Sequence, residues 1–181
     1  MLVEQQYFEV RGMRYTIRSA NEEDAAALSE LRVKIDGETE HMDREAGEAF
    51  ISTEGFKTLI RRDSEGERNL FLVVVADNRL VGFSRCEGIY LKRYAHKAEF
   101  GVCILEEFWG YSIGKELLKT SLAWADYIGI TKITLNVLET NKSAIRLYER
   151  FGFQIEGVLQ NDKVLSDGRY YNTVVMGRFR G

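Results

Sequence analysis

EFGVCILEEFWGYSIGK, residues 99–115, is the stretch on which the reading of this chain turns. Phe100, Val102 and Ile104 alternate as in a strand, two acids and an aromatic pair follow, and Gly110, Ser112 and Gly114 lead into a helical pattern. Strand, turn and helix start thus follow one another directly, with the small residues at the junction. The first N–H groups of a helix lack partners, so a junction of this kind suits an anion such as a pyrophosphate, and Lys115 adds charge. A tight turn that simply needs small residues accounts for the same stretch. Two other phosphate motifs fit less well: Glu116 follows Gly114-Lys115 where a P-loop needs Ser or Thr, and Gly110-Tyr-Ser-Ile-Gly114 lacks the spacing of a dinucleotide fingerprint.

Working outward, Ile113, Leu117, Leu118, Leu122, Ala125 and Ile128 mark one face of a helix that ends at Gly129. Residues 97–105 form the strand before it. Residues 70–76 and 79–86 read as a hairpin about Asp77-Asn78, and 132–138 as the next strand. Asn141 caps a short helix with the apolar stripe Ala144, Leu147, Tyr148 and Phe151, stopped by Gly152. Residues 153–159 and 169–179 close the chain as an antiparallel pair about Ser166-Asp-Gly. Toward the N-terminus, 14–18 is a first strand, and a helix follows from the acids after Asn21 through Leu28, Leu31 and Ile35 to near Gly37. An acidic loop, 36–45, and a second helix, 46–61, come next. Residues 1–12 read as a polar lead-in, so one domain spans 1–181 with its core at 14–179.

Composition narrows the function. Hydrophobic residues make up 45% and charged residues 29%, with 25 Lys and Arg against 28 Asp and Glu. That balance argues against nucleic acid as a partner. No stretch approaches the ~20 apolar residues of a membrane span, and the N-terminus lacks the apolar run of a signal peptide, so no membrane partner and a cytoplasmic location are expected. Cys86 and Cys103 are too few for a disulfide framework or a metal cluster and read as buried thiols; no metal is expected.

A second motif decides between the readings of the first. In NKSAIRLYERFGF, residues 141–153, Asn141 and Tyr148 lie seven residues apart and so within ~20° of one another around the helix. The combination of the two stretches resembles the GNAT superfamily of N-acetyltransferases. Trp109-Gly-Tyr-Ser-Ile-Gly114 lines up with that family's Gln/Arg-x-x-Gly-x-Gly/Ala turn. Asn141-x-x-Ala144-x-x-Leu147-Tyr148-Glu149-x-x-Gly152-Phe153 matches its second signature. The resemblance covers roughly residues 14–179 and is strongest to the ribosomal-protein and amino-acid acetyltransferase branch. There are two departures. Trp109 stands where Gln or Arg is usual, and Ser112 where Gly is usual; a positive φ at 112 would cost a serine about 1 kcal/mol.

The resemblance implies an α/β (α+β) fold, a mixed and mostly antiparallel sheet of six or seven strands flanked by about four helices and splayed open beside the central strand. It implies acetyl-CoA as cosubstrate, an amine-bearing acceptor, direct attack in a ternary complex, and a homodimer, since relatives often pair. Residue by residue, Val102, Cys103 and Ile104 would offer backbone groups to the pantetheine arm. Gly110, Tyr111, Ser112, Ile113, Gly114 and Lys115 would hold the pyrophosphate, and Asn141 would contact the cofactor arm. Tyr148 would be the acid for the departing thiolate.

An amine attacks only when neutral and is mostly protonated at pH 7, so a base is needed. Asn136 stands where some relatives have a glutamate, and Glu99 at the start of the central strand is the substitute; an exposed strand-end acid reads equally well there. The acidic loop reads either as solvated or as a lure for a cationic substrate. A non-catalytic acyl-CoA-binding module on the same fold is the alternative that Ser112 and Asn136 favour.

Overall fold

The computed structural model describes residues 2–181. Its elements, in chain order, are β1 (Gln6–Val10), β2 (Met13–Ser19), α1 (Ala25–Glu38), α2 (Thr53–Glu65), β3 (Asn69–Ala76), β4 (Arg79–Gly88), β5 (Lys97–Ile104), α3 (Ile113–Tyr127), β6 (Lys132–Leu138), α4 (Lys142–Arg150), β7 (Gln154–Val164) and β8 (Tyr170–Phe179). The strands make one eight-stranded sheet in the order β1-β2-β3-β4-β5-β6-β8-β7. Every pairing is antiparallel except β5 with β6. The α/β architecture read from the sequence is therefore the one observed, with one strand more than expected.

β3 lies in the middle of the sheet because its run Asn-Leu-Phe-Leu-Val-Val-Val-Ala has no polar face to show to water, and almost all of it is buried. On one face Phe71 packs against Phe56 of α2 and Phe83 of β4, with ring centroids 6.4 and 5.8 Å apart. Leu117, Leu118 and Leu122 of α3 are buried in the same core cluster. A side chain of this kind contributes about 1.5–3 kcal/mol on burial.

Asp63 of α2 is wholly buried and holds the middle of the sheet to its helix. It accepts from Arg85 Nε of β4 at 2.7 Å and from Asn69 Nδ2 of β3 at 3.1 Å. Asn69 Oδ1 in turn accepts from the N–H of Gly88 at 3.0 Å. This network satisfies polar groups that would otherwise be stranded in the core.

Three expectations need correcting. The lead-in at 1–12 contains β1, paired with β2 from Gln6 opposite Ile17 to Val10 opposite Met13. Phe8 there stacks on Tyr15 at 5.2 Å while Tyr7 faces solvent. The second helix begins at Thr53 rather than 46, because Gly47 and Ala49 have φ of 85° and 45° and cannot continue a right-handed helix. Ser52 starts it instead, its hydroxyl accepting from the Gly55 N–H at 3.1 Å. The final pair runs past 159, since β7 bulges between Leu159 and Lys163, with Asn161 at φ 52°, and then resumes pairing with β8. By contrast, α4 and β6 fall on the residues expected, α4 capped by Asn141.

Candidate active site

The decisive geometry is a gap in the sheet. β5 pairs with β4 from Ala98 to Ile104, but with β6 only at Lys97, Ala98 and Glu99. β6 turns away to pair with β8 along Lys132–Leu138. Beyond Glu99 the two parallel strands therefore part, and the second half of β5 has one free edge. The parity of the ladder says which groups line it. Leu105 donates its N–H to Val81 O at 3.0 Å, and Cys103 lies opposite Phe83, so the backbones of 103 and 105 face β4. Those of Val102 and Ile104 face the gap.

This sharpens the roles expected of the three residues. Val102 presents both N–H and C=O, and Ile104 its N–H. The Ile104 carbonyl is taken by Trp109 Nε1 at 3.0 Å. Cys103 borders the site only with its side chain, whose sulfur lies 3.6 Å from Met42 Sδ. Burial pushes the Cys103 thiol up to about 12, so it is a thiol at neutral pH and a poor acyl carrier.

Immediately beyond β5, a turn of 3-10 helix (Glu106–Phe108) carries the chain through Trp109–Ser112 into α3. Gly110 has φ 83° and Ser112 φ 62°. The first bond of α3 runs from the Glu116 N–H to Ser112 O at 3.0 Å, which leaves the N–H groups of Ile113, Gly114 and Lys115 at the open end of the helix. The turn is held from the N-terminal hairpin, where the Tyr15 hydroxyl donates to Tyr111 O at 3.1 Å. Burial, with Glu116 nearby, raises Tyr15 to about 12, so this donor keeps its proton.

Ser112 is thus a serine in a conformation that favours glycine. Ser112→Gly is expected to stabilise the fold by about 0.5–1 kcal/mol, the relieved strain less the greater freedom of the unfolded chain. Urea unfolding checks this, and a lower midpoint for the variant would contradict it.

On the other side of the gap, Asn141 Oδ1 caps α4 by accepting from the Ala144 N–H at 3.2 Å, so only its amide NH2 remains for a ligand. Tyr148 is buried and packs on Phe153 at 5.7 Å. Its hydroxyl is pushed up to about 12 by burial and by the neighbouring Cys103 thiol.

Glu99 stands at the apex, the last residue of β5 paired with β6, and is exposed. It shares a face of the sheet with Gly101 and Cys103, and a Cβ built on Gly101 would meet nothing within 4 Å, so that face is open between them. At strand rise, Glu99 and Cys103 are about 13 Å apart, too far for a direct carboxylate–thiol contact. Asn136 lies on β6 past the point of parting and, as a carboxamide, cannot take a proton.

The acidic loop is solvated at Glu40, Asp43 and Glu45, but several of its acids already have partners. Asp36 is buried against Arg44 at 3.1 Å, Asp43 pairs with Lys163, and Glu40 accepts from the Ser166 N–H at 2.8 Å. Its acids bind it to the β7–β8 hairpin. His41 from the same loop stacks on Trp109 at 6.1 Å. A separate hollow of about 460 Å³ lies between α1 and the β3–β4 hairpin. Two of its charged pairs are already matched, Arg18 with Asp24 at 2.7 Å and Arg79 with Glu107 at 2.9 Å. Among the described residues no group of three or more His, Cys, Asp or Glu is placed to hold a metal ion. No helix among them is long and apolar enough to cross a membrane.

Sequence reasoning missed Tyr15 as the anchor of the turn and Trp109 as the occupant of the Ile104 carbonyl. The alternation of 6–10 was a usable signal for the hairpin; the Trp109 contact has none, since it depends on side-chain direction across a 3-10 turn.

Comparison with known proteins places the chain in a family. Residues 37–153 match the model of the acetyltransferase (GNAT) family. A [ribosomal protein bS18]-alanine N-acetyltransferase of Haemophilus influenzae is 30% identical over 129 residues, which cover 71% of this chain and 84% of that protein. An L-amino acid N-acetyltransferase of Escherichia coli K12 is 27% identical over 110 residues, 60% of this chain and 67% of the relative. Among solved structures, a GNAT-family acetyltransferase from Streptococcus pneumoniae superposes with a TM-score of 0.88 at 23% identity, covering 92% of this chain and 99% of that one. The yncA structure from Salmonella typhimurium, which holds its cofactor acetyl-CoA, gives 0.79 at 19% identity, covering 91% and 93%. At those identities the structural likeness speaks for the fold.

Proposed function

Since the chain belongs to the GNAT acetyltransferase family, we propose that it transfers acetyl from acetyl-CoA to a primary amine by direct attack in a ternary complex. The observation that carries this reading is the gap beside β5. The free edge of β5 at Val102 and Ile104 runs directly into the turn that opens α3, and α4 with Tyr148 follows β6 on the far side of the gap. The pantetheine arm would lie along the Val102 edge as an added strand, with Asn141 against it from α4. The diphosphate would rest on the N–H groups from Gly110 to Lys115, where the helix end favours negative charge.

The chemistry then assigns roles. The neutral amine attacks the thioester carbonyl carbon, and the C–S bond breaks to give an amide and the CoA thiolate, which takes its proton from solvent water. An N–H of β5 facing the gap stabilises the oxyanion. Glu99 takes the amine proton through water from the apex. Tyr148, at about 12, stays protonated at neutral pH. It is a weaker acid than a thiol near 8.5, so its part is to hold the developing thiolate by hydrogen bonding rather than to give up its proton fully.

The acceptor class is drawn from the relatives' names: amino acids, an alanine of a ribosomal protein and, from the spermidine N(1)-acetyltransferase of Escherichia coli K12, polyamines. The test is a thermal-shift titration with CoA followed by thiol release from acetyl-CoA with those three amine classes. Stabilisation by CoA and turnover with one class are expected. Stabilisation without turnover on any would point to an acyl-CoA-binding module, and no response to CoA would overturn both readings. Glu99→Gln is expected to lower kcat and alter the acid limb of the pH–rate profile; an unchanged profile removes Glu99 as base.

A further inference from the structure

The phosphate turn has little side-chain charge of its own. Trp109 occupies the position at which the family pattern has Gln or Arg, and its one donor, Nε1, is spent on Ile104 O. Lys115 Nζ lies 3.7 Å from Glu116 Oε1, so part of its charge is matched by a neighbour.

A different cation reaches the turn from elsewhere in the chain. Arg11 sits at the tip of the β1–β2 hairpin, and its Nη1 lies 3.7 Å from where a Cβ on Gly110 would stand. The hairpin's own carboxylate does not neutralise it, because Glu9 is taken by Arg14 at 3.1 Å. Among the described residues no carboxylate pairs with Arg11. The hairpin is seated beside the turn by the Tyr15–Tyr111 hydrogen bond and the stack of Phe8 on Tyr15. This placement belongs to a segment ahead of the one the family model matches.

The residue type adds to the geometry. Val10 and Met13 pair across a two-residue turn in which Arg11 and Gly12 have φ of 52° and 79°. Positive φ at both central positions is the mark of a type I′ turn, whose first position ordinarily takes Asn, Asp or Gly. An arginine there is a local cost to the hairpin with no compensating ion pair or hydrogen bond among the described residues.

We propose that Arg11 is a cofactor-binding residue whose guanidinium contacts the diphosphate of coenzyme A over the Gly110–Lys115 turn, supplying the cation that position 109 lacks. The proposal rests on the acetyl-CoA reading of the cleft. A planar guanidinium offers paired N–H donors to phosphate oxygens, and charge-assisted bonds of this kind are about twice as strong as neutral ones.

The test is Arg11→Asn, which removes the charge while installing the residue the turn prefers. Calorimetric titration of the full chain with CoA and with dephospho-CoA, each at several salt concentrations, reads the effect. The variant is expected to unfold at the same or a higher temperature without ligand, yet to bind both ligands about ten-fold more weakly and with a smaller dependence on salt. Equal affinity in variant and parent overturns the proposal. So does weaker binding with unchanged salt dependence, which marks a structural role, or a loss confined to CoA, which assigns Arg11 to the 3′-phosphate. Failure of the parent protein to bind CoA overturns the underlying acetyl-CoA reading instead.

Discussion

A Tyr148→Phe enzyme is expected to turn over about a hundred-fold more slowly while binding CoA within about two-fold of the parent. Phenylalanine keeps the ring that packs against Phe153 and so keeps α4 in place; only the hydroxyl is lost. In the proposed mechanism that hydroxyl does not hold the cofactor in the ground state. On that proposal it acts once the C–S bond lengthens and charge gathers on sulfur, so its removal should fall on kcat. A contribution of 10²-fold is at the lower end for positioned proton donors, as befits a hydrogen bond that does not complete the transfer. The pH dependence has a definite sign. A phenol at about 12 stays protonated across the working range, so the parent should show no alkaline fall in kcat from Tyr148 between pH 7 and 10. Unchanged turnover in Tyr148→Phe removes it from the mechanism.

Asp63→Ala is expected to cost about 3–5 kcal/mol of stability, several times the effect of relieving the strain at Ser112. The carboxylate is wholly buried and answers three donors, the Arg85 guanidinium, the Asn69 amide and, at 3.4 Å, Arg62 Nε. Removing it leaves a charge that is itself only a fifth exposed, at 22%, and lies over the Phe71 ring at 5.7 Å, with the more distant Glu87 at 3.6 Å as its one remaining carboxylate. Desolvation that the pair had compensated is then uncompensated. A fall in the urea midpoint with an unchanged slope checks this. Asp63 lies between α2 and the β3–β4 pair and is not among the residues proposed to hold the cofactor, so CoA affinity of the variant measured where it is still folded should match the parent. A loss under about 1 kcal/mol would mean that the network relaxes without its centre.

What could be read in advance follows from how local each signal is. α4 was legible because cap, stripe and stop all lie within 141–152 and agree with one another. β6 was legible because a short apolar run between Gly129 and the cap leaves no other element. The second helix was misplaced because nothing in the letters of Gly47 and Ala49 shows that both adopt left-handed backbone. The N-terminal hairpin was missed because its turn carries Arg-Gly instead of the Asn-Gly that announces such a turn. In the candidate site, the turn after β5 and the cap of α4 at Asn141 were legible as motifs. The closed Ile104 carbonyl and the acids tied to the last hairpin were not, for each depends on a contact between side chain and distant backbone.

The parting of β5 from β6 also shapes how the protein comes undone. β1 to β5 form one ladder and β6, β8 and β7 another, and only three residue pairs, from Lys97 with Lys132 to Glu99 with Thr134, join them. A seam that short lets the second group open as a unit while the first stays closed, so amide protons in β7 and β8 should exchange through a lower-energy opening than those in β3 and β4. A ligand lodged in the gap touches both groups and binds only when they are together. Its occupancy therefore raises the energy of that opening by RT ln(1 + [L]/Kd), and makes two cooperative units behave as one.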